Sequence, residues 1–307
     1  MLDSVTVRAP GKVNLALGVG PLRADGYHGL VTVFQAVSIF DDLVATPLPF
    51  GSGTQLVITG EGAGVIPLGP DNLAARAVRA LGAFGASPDV AIAIHKSIPL
   101  AGGMAGGSAD AAAALVAVDA LFELDLTRDE LADVAATLGS DVPFVLHGGT
   151  AVGTNRGDQL TPALVRGSFH WVFAIADAGL STPAVYAKCD QLRAGIEVAD
   201  PEVPQALMAA LIAGDPVALG RELRNDLQPA ALALRPKLQR VLDIGDDFAV
   251  LGSVISGSGP TCAFLVRDGD EALDLAVALT SAGLCRTVKR ATGPVSGAHI
   301  IDHRSAA

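Results

Sequence analysis

Residues 99–109 read P-L-A-G-G-M-A-G-G-S-A, between an apolar run at 90–94 and an alanine-rich apolar run at 110–122. Val90, Ala91, Ile92, Ala93 and Ile94 predict a buried strand. The later run, broken by Asp110 and Asp119, predicts a helix beginning near Ser108. The glycines therefore stand at a strand-to-helix junction. Gly102, Gly103, Gly106 and Gly107 lack side chains, so backbone N–H groups can approach an anion closely. The helix dipole adds a favourable field at the same point. Ser108 can cap the helix or offer its hydroxyl to a phosphate or its metal. The loop lacks the Gly-Lys-Ser/Thr ending of a Walker A motif, and no register of it supplies the dinucleotide pattern Gly-x-Gly-x-x-Gly. A flexible connector is the competing reading, and four glycines within six positions count against it.

Upstream, two extended pieces are expected on either side of Pro10-Gly11. From Gly11 the chain alternates, so Lys12 and Asn14 project from one face of a strand and Val13 and Leu15 from the other. Lysine seldom occupies a strand centre without a partner, so Lys12 is either functional or an edge-strand lysine that blocks aggregation. R-A-D-G-Y-H-G-L at 23–30 places a turn at Asp25-Gly26 and presents Tyr27 and His28 at the start of a strand over 30–40. Residues 41–70 are rich in Gly and Pro with short extended pieces, and Asp71 or Asn72 caps a helix running to about Phe84.

Downstream, Thr127-Arg128-Asp129-Glu130 has the spacing of a capping box and opens a helix that stops at Gly139. G-S-D-V-P-F at 139–144 then predicts another short helix. Asp141 is suited there to be its N-cap. A looser segment, 160–168, links to the second half. That half shows a strand at 170–176, a helix from Pro183 towards Leu192, and apolar helical segments near 204–213, 216–224 and 235–245. Strands at 252–256 and 262–266 flank the turn G-S-G-P-T, and a helix over 270–282 and a strand over 285–291 follow. Together these predict an α+β layer with helices on one face.

The 307 residues, 50% hydrophobic and 17% charged, suit one large or two ordinary domains with a substantial core. A formal net charge of −11 argues against a nucleic-acid or acidic-membrane partner. Three cysteines and six histidines show no disulfide or metal-ligand spacing. No basic segment followed by an apolar core opens the chain, and no apolar run reaches membrane-spanning length. A soluble, cytoplasmic protein is expected.

Four motifs stand in order: A-P-G-K-V-N-L-A-L with R-A-D-G-Y-H-G-L, the 99–109 loop, G-S-D-V-P-F, and I-S-G-S-G-P-T. In that combination, from about Val5 to Val288, the sequence resembles the GHMP small-molecule kinases, named for galactokinase, homoserine kinase, mevalonate kinase and phosphomevalonate kinase. The resemblance implies an α+β fold of two domains, with a mixed sheet and helices in each and the active site in the cleft between them. Residues 1–159 would be the ATP-binding and catalytic domain, and residues 160–307 would complete the substrate site. Pro99, Leu100, Ala101, Gly102, Gly103, Met104, Ala105, Gly106, Gly107, Ser108 and Ala109 would form the ATP-phosphate loop, with Mg²⁺ arriving with ATP and Ser108 as a metal ligand. The loop departs from many relatives at Met104-Ala105 and Ala109-Asp110, where Leu-Gly and Ser-Asn are usual.

Within the family the motifs lie nearest the branch whose alcohol substrate is a cytidine diphosphate derivative, phosphorylated on its 2-hydroxyl in the non-mevalonate isoprenoid route. Asn14, Tyr27, His28, Thr182 and Tyr186 would then bind substrate, with the cytosine between Tyr27 and Tyr186 and its polar edge on His28. Asp141 and Lys12 would face one active site. A buried Asp141 beside Lys12 stays ionised and takes the hydroxyl proton, and Lys12 stays charged. The alternatives are a GHMP kinase of the homoserine or mevalonate type, or a nucleotide-binding regulator without catalysis.

Overall fold

A computed structural model describes residues 2–100 and 102–305. The chain runs β1 (Leu2–Leu22), β2 (His28–Pro47), β3 (Gln55–Gly60), α1 (Leu73–Leu81), β4 (Val90–Lys96), α2 (Gly106–Leu121), α3 (Arg128–Leu138), α4 (Val142–His147), β5 (Thr150–Asn155) and β6 (Gln159–Pro162). It continues through β7 (Phe169–Ile175), α5 (Thr182–Leu192), α6 (Gln205–Ala213), α7 (Pro216–Glu222), β8 (Arg224–Asn225), α8 (Gln228–Leu234), α9 (Lys237–Asp247), β9 (Gly252–Ile255), β10 (Cys262–Val266), α10 (Gly269–Ser281), β11 (Thr287–Gly293) and β12 (His299–Ser305). The fold is α+β, as expected.

Local chemistry accounts for several boundaries. Asn72 caps α1 by accepting the Ala74 N–H at 2.9 Å, a bond typically worth about 1 kcal/mol. The Thr127–Glu130 capping box forms in full at the start of α3. Helix α2 is different, because nearly every residue from Ala109 to Leu121 is buried. It is apolar all round, and its alanines allow β1, β2, α1 and α4 to pack closely against it.

The first sheet has the order β12-β1-β2-β4-β3, with β5 and β6 extending from β2 and the short β8 beside β1. It is mixed: β3 pairs with β4, and β8 with β1, in parallel, and the other pairings are antiparallel. The second sheet, β11-β7-β10-β9, is antiparallel. Trp171 ties the two together by donating Nε1–H to Gln35 Oε1 at 3.0 Å inside the core.

Several expectations need correction. Pro10-Gly11 does not divide two strands; β1 is continuous, and the ladder absorbs the site as a register shift that leaves Ser38 and Ile39 unpaired with β1. Strand β2 continues to Pro47, because β1 on one side and β4 on the other keep its backbone paired. The proposed link at 160–168 begins as β6, and the 159/160 division falls at that strand's first peptide bond. β8 and β12, both from the later part of the chain, join the first sheet. Helix α8 and strand β12 have no counterpart in the sequence reading.

Candidate active site

The glycine loop enters α2 at Gly106, two residues earlier than expected. The N-cap is Ala105, in a left-handed conformation with φ 61°, and no side chain caps the helix. Ser108 is therefore within the first turn and not at the cap. The leading N–H groups are left for another acceptor, and the dipole makes an anion a suitable one. Gly103 has φ 72°, and a Cβ there would collide with the Ser256 carbonyl. The loop is thus pressed against the turn after β9, with Ser256 Oγ donating to the Gly103 carbonyl at 3.3 Å. Met104 and Ala109 are buried in the core, so their side chains face away from any ligand. Ala101 lies outside the described residues.

Two cavities flank this loop. The larger, about 880 Å³, reaches from Gly103 and Ala105 past Lys12 and Asp141 to Tyr27 and Tyr186. It lies between the first sheet and the face formed by α5 and the turn at 257–258. Lys12, Asn14, Tyr27, His28, Thr182 and Tyr186 all line it. The smaller, about 250 Å³, lies beside Gly107 and Leu100 and is lined by Leu73, Asn72, Lys96 and Asp110.

Lys12 pairs with β2, and its side chain is buried, whereas a lysine that guards a strand edge stands in solvent, so the edge-strand reading is removed. Its side chain is 5% exposed. Nζ donates to Asn14 Oδ1 at 2.6 Å and lies 3.8 Å from Asp141 Oδ2. Asn14 Nδ2 donates in turn to Thr32 Oγ1 at 2.8 Å, and that hydroxyl donates to the Ala16 carbonyl at 2.9 Å. Burial pushes the Lys12 ammonium below its ordinary range, with the Asp141 charge opposing. The expectation of a buried Asp141 is therefore reversed: its side chain is 32% exposed, and the lysine is the buried member. The capping reading of Asp141 also fails. It occupies the N-cap position of α4, but its φ −86° and ψ −13° are helical and its side chain makes no capping bond.

His28 must carry its hydrogen on Nδ1, because that atom faces the Gly20 carbonyl at 2.8 Å. Nε2 lies 3.4 Å from Asp190 Oδ1. The ring stacks on Tyr186 with centroids 5.4 Å apart. Burial, with the Asp141 charge, pushes the Tyr186 hydroxyl up to about 12, so it stays protonated. Tyr27 is half exposed and is covered by the Arg156 guanidinium, 3.7 Å from its ring centre. Tyr27 and Tyr186 thus line one cavity, but each faces a neighbour of its own. Thr182 Oγ1 is 2.8 Å from Ser258 Oγ, which fastens α5 to the second glycine turn.

A family description, GHMP kinases N terminal domain, matches residues 72–149, and a second, GHMP kinases C terminal, matches residues 207–284. This chain belongs to the GHMP kinase family. The kinase is 54% identical, over 305 residues, to a protein of Nocardia farcinica named 4-diphosphocytidyl-2-C-methyl-D-erythritol kinase, covering 98% of this chain and 97% of that one. A crystal structure of a 4-(cytidine 5'-diphospho)-2C-methyl-D-erythritol kinase superposes with a TM-score of 0.77 at 32% identity, covering 94% of this chain and 98% of the other. A homoserine kinase from Cytophaga hutchinsonii, at 20% identity and a TM-score of 0.75 over 98% of both chains, shares the fold.

One cluster of this kinase has no counterpart in the sequence reading. Lys96, at the end of β4, donates from Nζ to Asp41 Oδ2 and Asp110 Oδ2, each at 2.6 Å, and to the Gly106 carbonyl at 3.2 Å. Asp41 Oδ1 accepts the N–H groups of Ser97 and Ile98 at 2.6 and 2.8 Å. All three charged side chains are buried, and Asp110 Oδ1 has no partner among the described residues. Two carboxylates against one ammonium leave one negative charge in excess. Burial, reinforced by Asp41, accordingly pushes the Asp110 carboxyl up to about 7, against the pull of Lys96. The only hint in the sequence was a charged residue interrupting each of three apolar runs.

Proposed function

We propose that this kinase transfers the γ-phosphate of ATP to the 2-hydroxyl of 4-diphosphocytidyl-2-C-methyl-D-erythritol, in the non-mevalonate route to isoprenoid precursors. The observation that carries the reaction type is the juxtaposition of Lys12 Nζ and Asp141 Oδ2, 3.8 Å apart, in a cleft whose wall includes the glycine loop. Support for the substrate is the full-length likeness to proteins bearing that kinase's name. The large cleft, with aromatic rings at its far end, has room for an extended cytidine diphosphate ester.

In this reading the triphosphate lies along the uncapped start of α2, held by loop N–H groups, and the nucleotide base occupies the smaller cavity beside Leu73 and Leu100. The acceptor hydroxyl enters from the larger cavity. Asp141, reachable from solvent and free of any capping bond, takes the hydroxyl proton as the oxygen attacks. Lys12 is held by Asn14 through a neutral amide, so its charge is available to the transferring phosphoryl group. Phosphoryl transfer needs positioning and charge more than covalent chemistry, and this pair with the loop supplies both. Among the described residues no three His, Cys, Asp or Glu side chains converge as a metal site. The Ser108 hydroxyl, in the first turn of α2, suits an Mg²⁺ carried by the nucleotide, and that ion would offset phosphate charge. Tyr186 and His28, already stacked, would offer a face and an edge to the cytosine.

The test is a coupled assay of ADP release against a panel of alcohols: the cytidyl substrate, the same polyol lacking its cytidine diphosphate, homoserine and mevalonate. Turnover with the cytidyl substrate alone is expected. Tyr186→Ala should raise KM for it by the equivalent of about 1–3 kcal/mol while sparing KM for ATP. Equal turnover of homoserine, or lost ATP affinity in that variant with substrate affinity intact, would show the assignment to be wrong.

A further inference from the structure

A cavity of about 510 Å³, sharing no lining residue with either cavity of the proposed active site, opens where β1, β2, β4 and β11 meet. It exists because β2 carries two residues more than β1 between the pairs Pro10↔Phe40 and Gly11↔Val37. The extra residues are Ser38 and Ile39, and both line the cavity. Ser38 Oγ accepts the Thr292 N–H at 2.8 Å, which anchors the end of β11 and brings Lys289 and Arg290 to the rim.

The charge of this wall opposes that of the molecule. In a chain of formal net charge −11, the lining includes Arg8, Lys289, Arg290 and His95 and a single carboxylate, Asp42. That carboxylate is already neutralised, since Arg8 Nε and Nη2 donate to its two oxygens at 2.8 Å each. No ion pair engages Lys289 or Arg290 among the described residues. Ser97 adds a hydroxyl to the same wall. Two uncompensated cations, with hydroxyl and imidazole donors around a concavity, match the chemistry of a compact polyanion.

We propose that this cavity binds a small ligand through a diphosphate group, free or esterified, at a site separate from catalysis. The wall is mostly polar, which suits the anionic group and not an apolar tail. A direct line of contacts leads from it towards the glycine loop: the Ser97 N–H is on Asp41 Oδ1, Asp41 Oδ2 is on Lys96, and Lys96 is on the Gly106 carbonyl.

The test is calorimetric titration of the whole protein with inorganic diphosphate, after saturation with a non-hydrolysable ATP analogue, Mg²⁺ and the cytidyl substrate, so that the loop and the large cleft are both occupied. One binding event per chain is expected. The double variant Lys289→Ser, Arg290→Ser should weaken it by about tenfold or more, through loss of two charge-assisted contacts. Arg290→Gln alone, at an exposed position, should weaken it less and serves if the double variant misfolds. Lys237→Ser, which removes a surface lysine paired with Asp177, should leave it unchanged. A parallel titration with inorganic phosphate, binding far more weakly, would identify the diphosphate unit as what is recognised. Absence of binding to the saturated wild type, undiminished affinity in the double variant and Arg290→Gln, or phosphate binding as tight as diphosphate would each overturn the proposal. Both variants should keep the kcat of the wild type, so failure here is separable from failure of the kinase assignment.

Discussion

Lys12 and Lys96 are both buried lysines beside the glycine loop, and their surroundings are opposite. Lys96 is saturated: two carboxylates at 2.6 Å and a backbone carbonyl take its three hydrogens. Its ammonium is accordingly held above the ordinary lysine range, because the two carboxylate charges outweigh the cost of burial. Lys12 has one short bond to a neutral amide and one carboxylate at 3.8 Å, and burial wins there, pulling its ammonium down. A lysine whose charge is fully spent holds a structure together. One with charge to spare, at a cavity wall, is placed to meet an incoming anion. The comparison sets Lys96 apart as architecture and leaves Lys12 suited to the catalytic role proposed for it.

The largest effect expected from breaking this contrast is on turnover. Asp141→Asn should lower kcat by about 10²–10⁴-fold with both substrates still binding, because it removes the proposed general base. Its stability should stay close to wild type, since no capping bond is lost. Lys12→Met should also lower kcat while costing little stability, as it removes a poorly compensated buried charge. The double variant should be far less impaired than the product of the single effects, since in the proposed mechanism the two act as a unit. Steady-state kinetics with denaturant melts on the same samples checks this. A stable Asp141→Asn enzyme with wild-type turnover would leave Lys12 no partner in catalysis.

Lys96→Met should show the reverse pattern. Two buried carboxylates lose their counter-ion, at a cost of about 3–5 kcal/mol in unfolding free energy. Urea denaturation measures it directly. A loss below about 1 kcal/mol, the range of exposed pairs, would remove the distinction between the two lysines.

The smallest effect is a pH dependence that sharpens the picture of Lys96. Asp110 is raised from an ordinary 3.8 to about 7, so the folded chain holds a proton there that the unfolded chain has released. Between those values the native state binds more protons, and stability attributable to Asp110 falls as pH rises. It is fully present below the unfolded value and is lost through about pH 7. The Lys96 contribution is constant over this window, because its raised value lies above the ordinary 10.5. Wild type should therefore lose stability relative to Asp110→Asn between about pH 5 and about pH 8. Thermal melts of both proteins across that range provide the check, and parallel curves would mean that Asp110 titrates elsewhere.

Much of the lining of the large cleft was legible in sequence because its motifs are local. Lys12 and Asn14 share a strand face through simple alternation, Asp25-Gly26 makes the turn that presents Tyr27 and His28, and the glycine loop carries its own signature. The Lys96 cluster was not legible, because Asp41 and Asp110 lie 55 and 14 residues from it in sequence and nothing local links either to a lysine. Strand β12 was missed for a related reason. Its I-D-H-R residues are exposed and show no clear apolar face, and what makes them a strand is the free edge of β1.

By itself, then, the sequence determined the α+β class, the strand–loop–helix that can cradle phosphate, and the residues that meet in the large cleft. Short-range periodicity, turn chemistry and capping depend on neighbours along the chain, so they can be read there. The tertiary structure alone decided which charges are spent and which are free. It made Lys12 the buried member of its pair, left Asp141 without a capping role, and gathered Lys96 with two distant aspartates. Desolvation and Coulomb energy depend on burial and on separation in space, and neither is written in the order of residues.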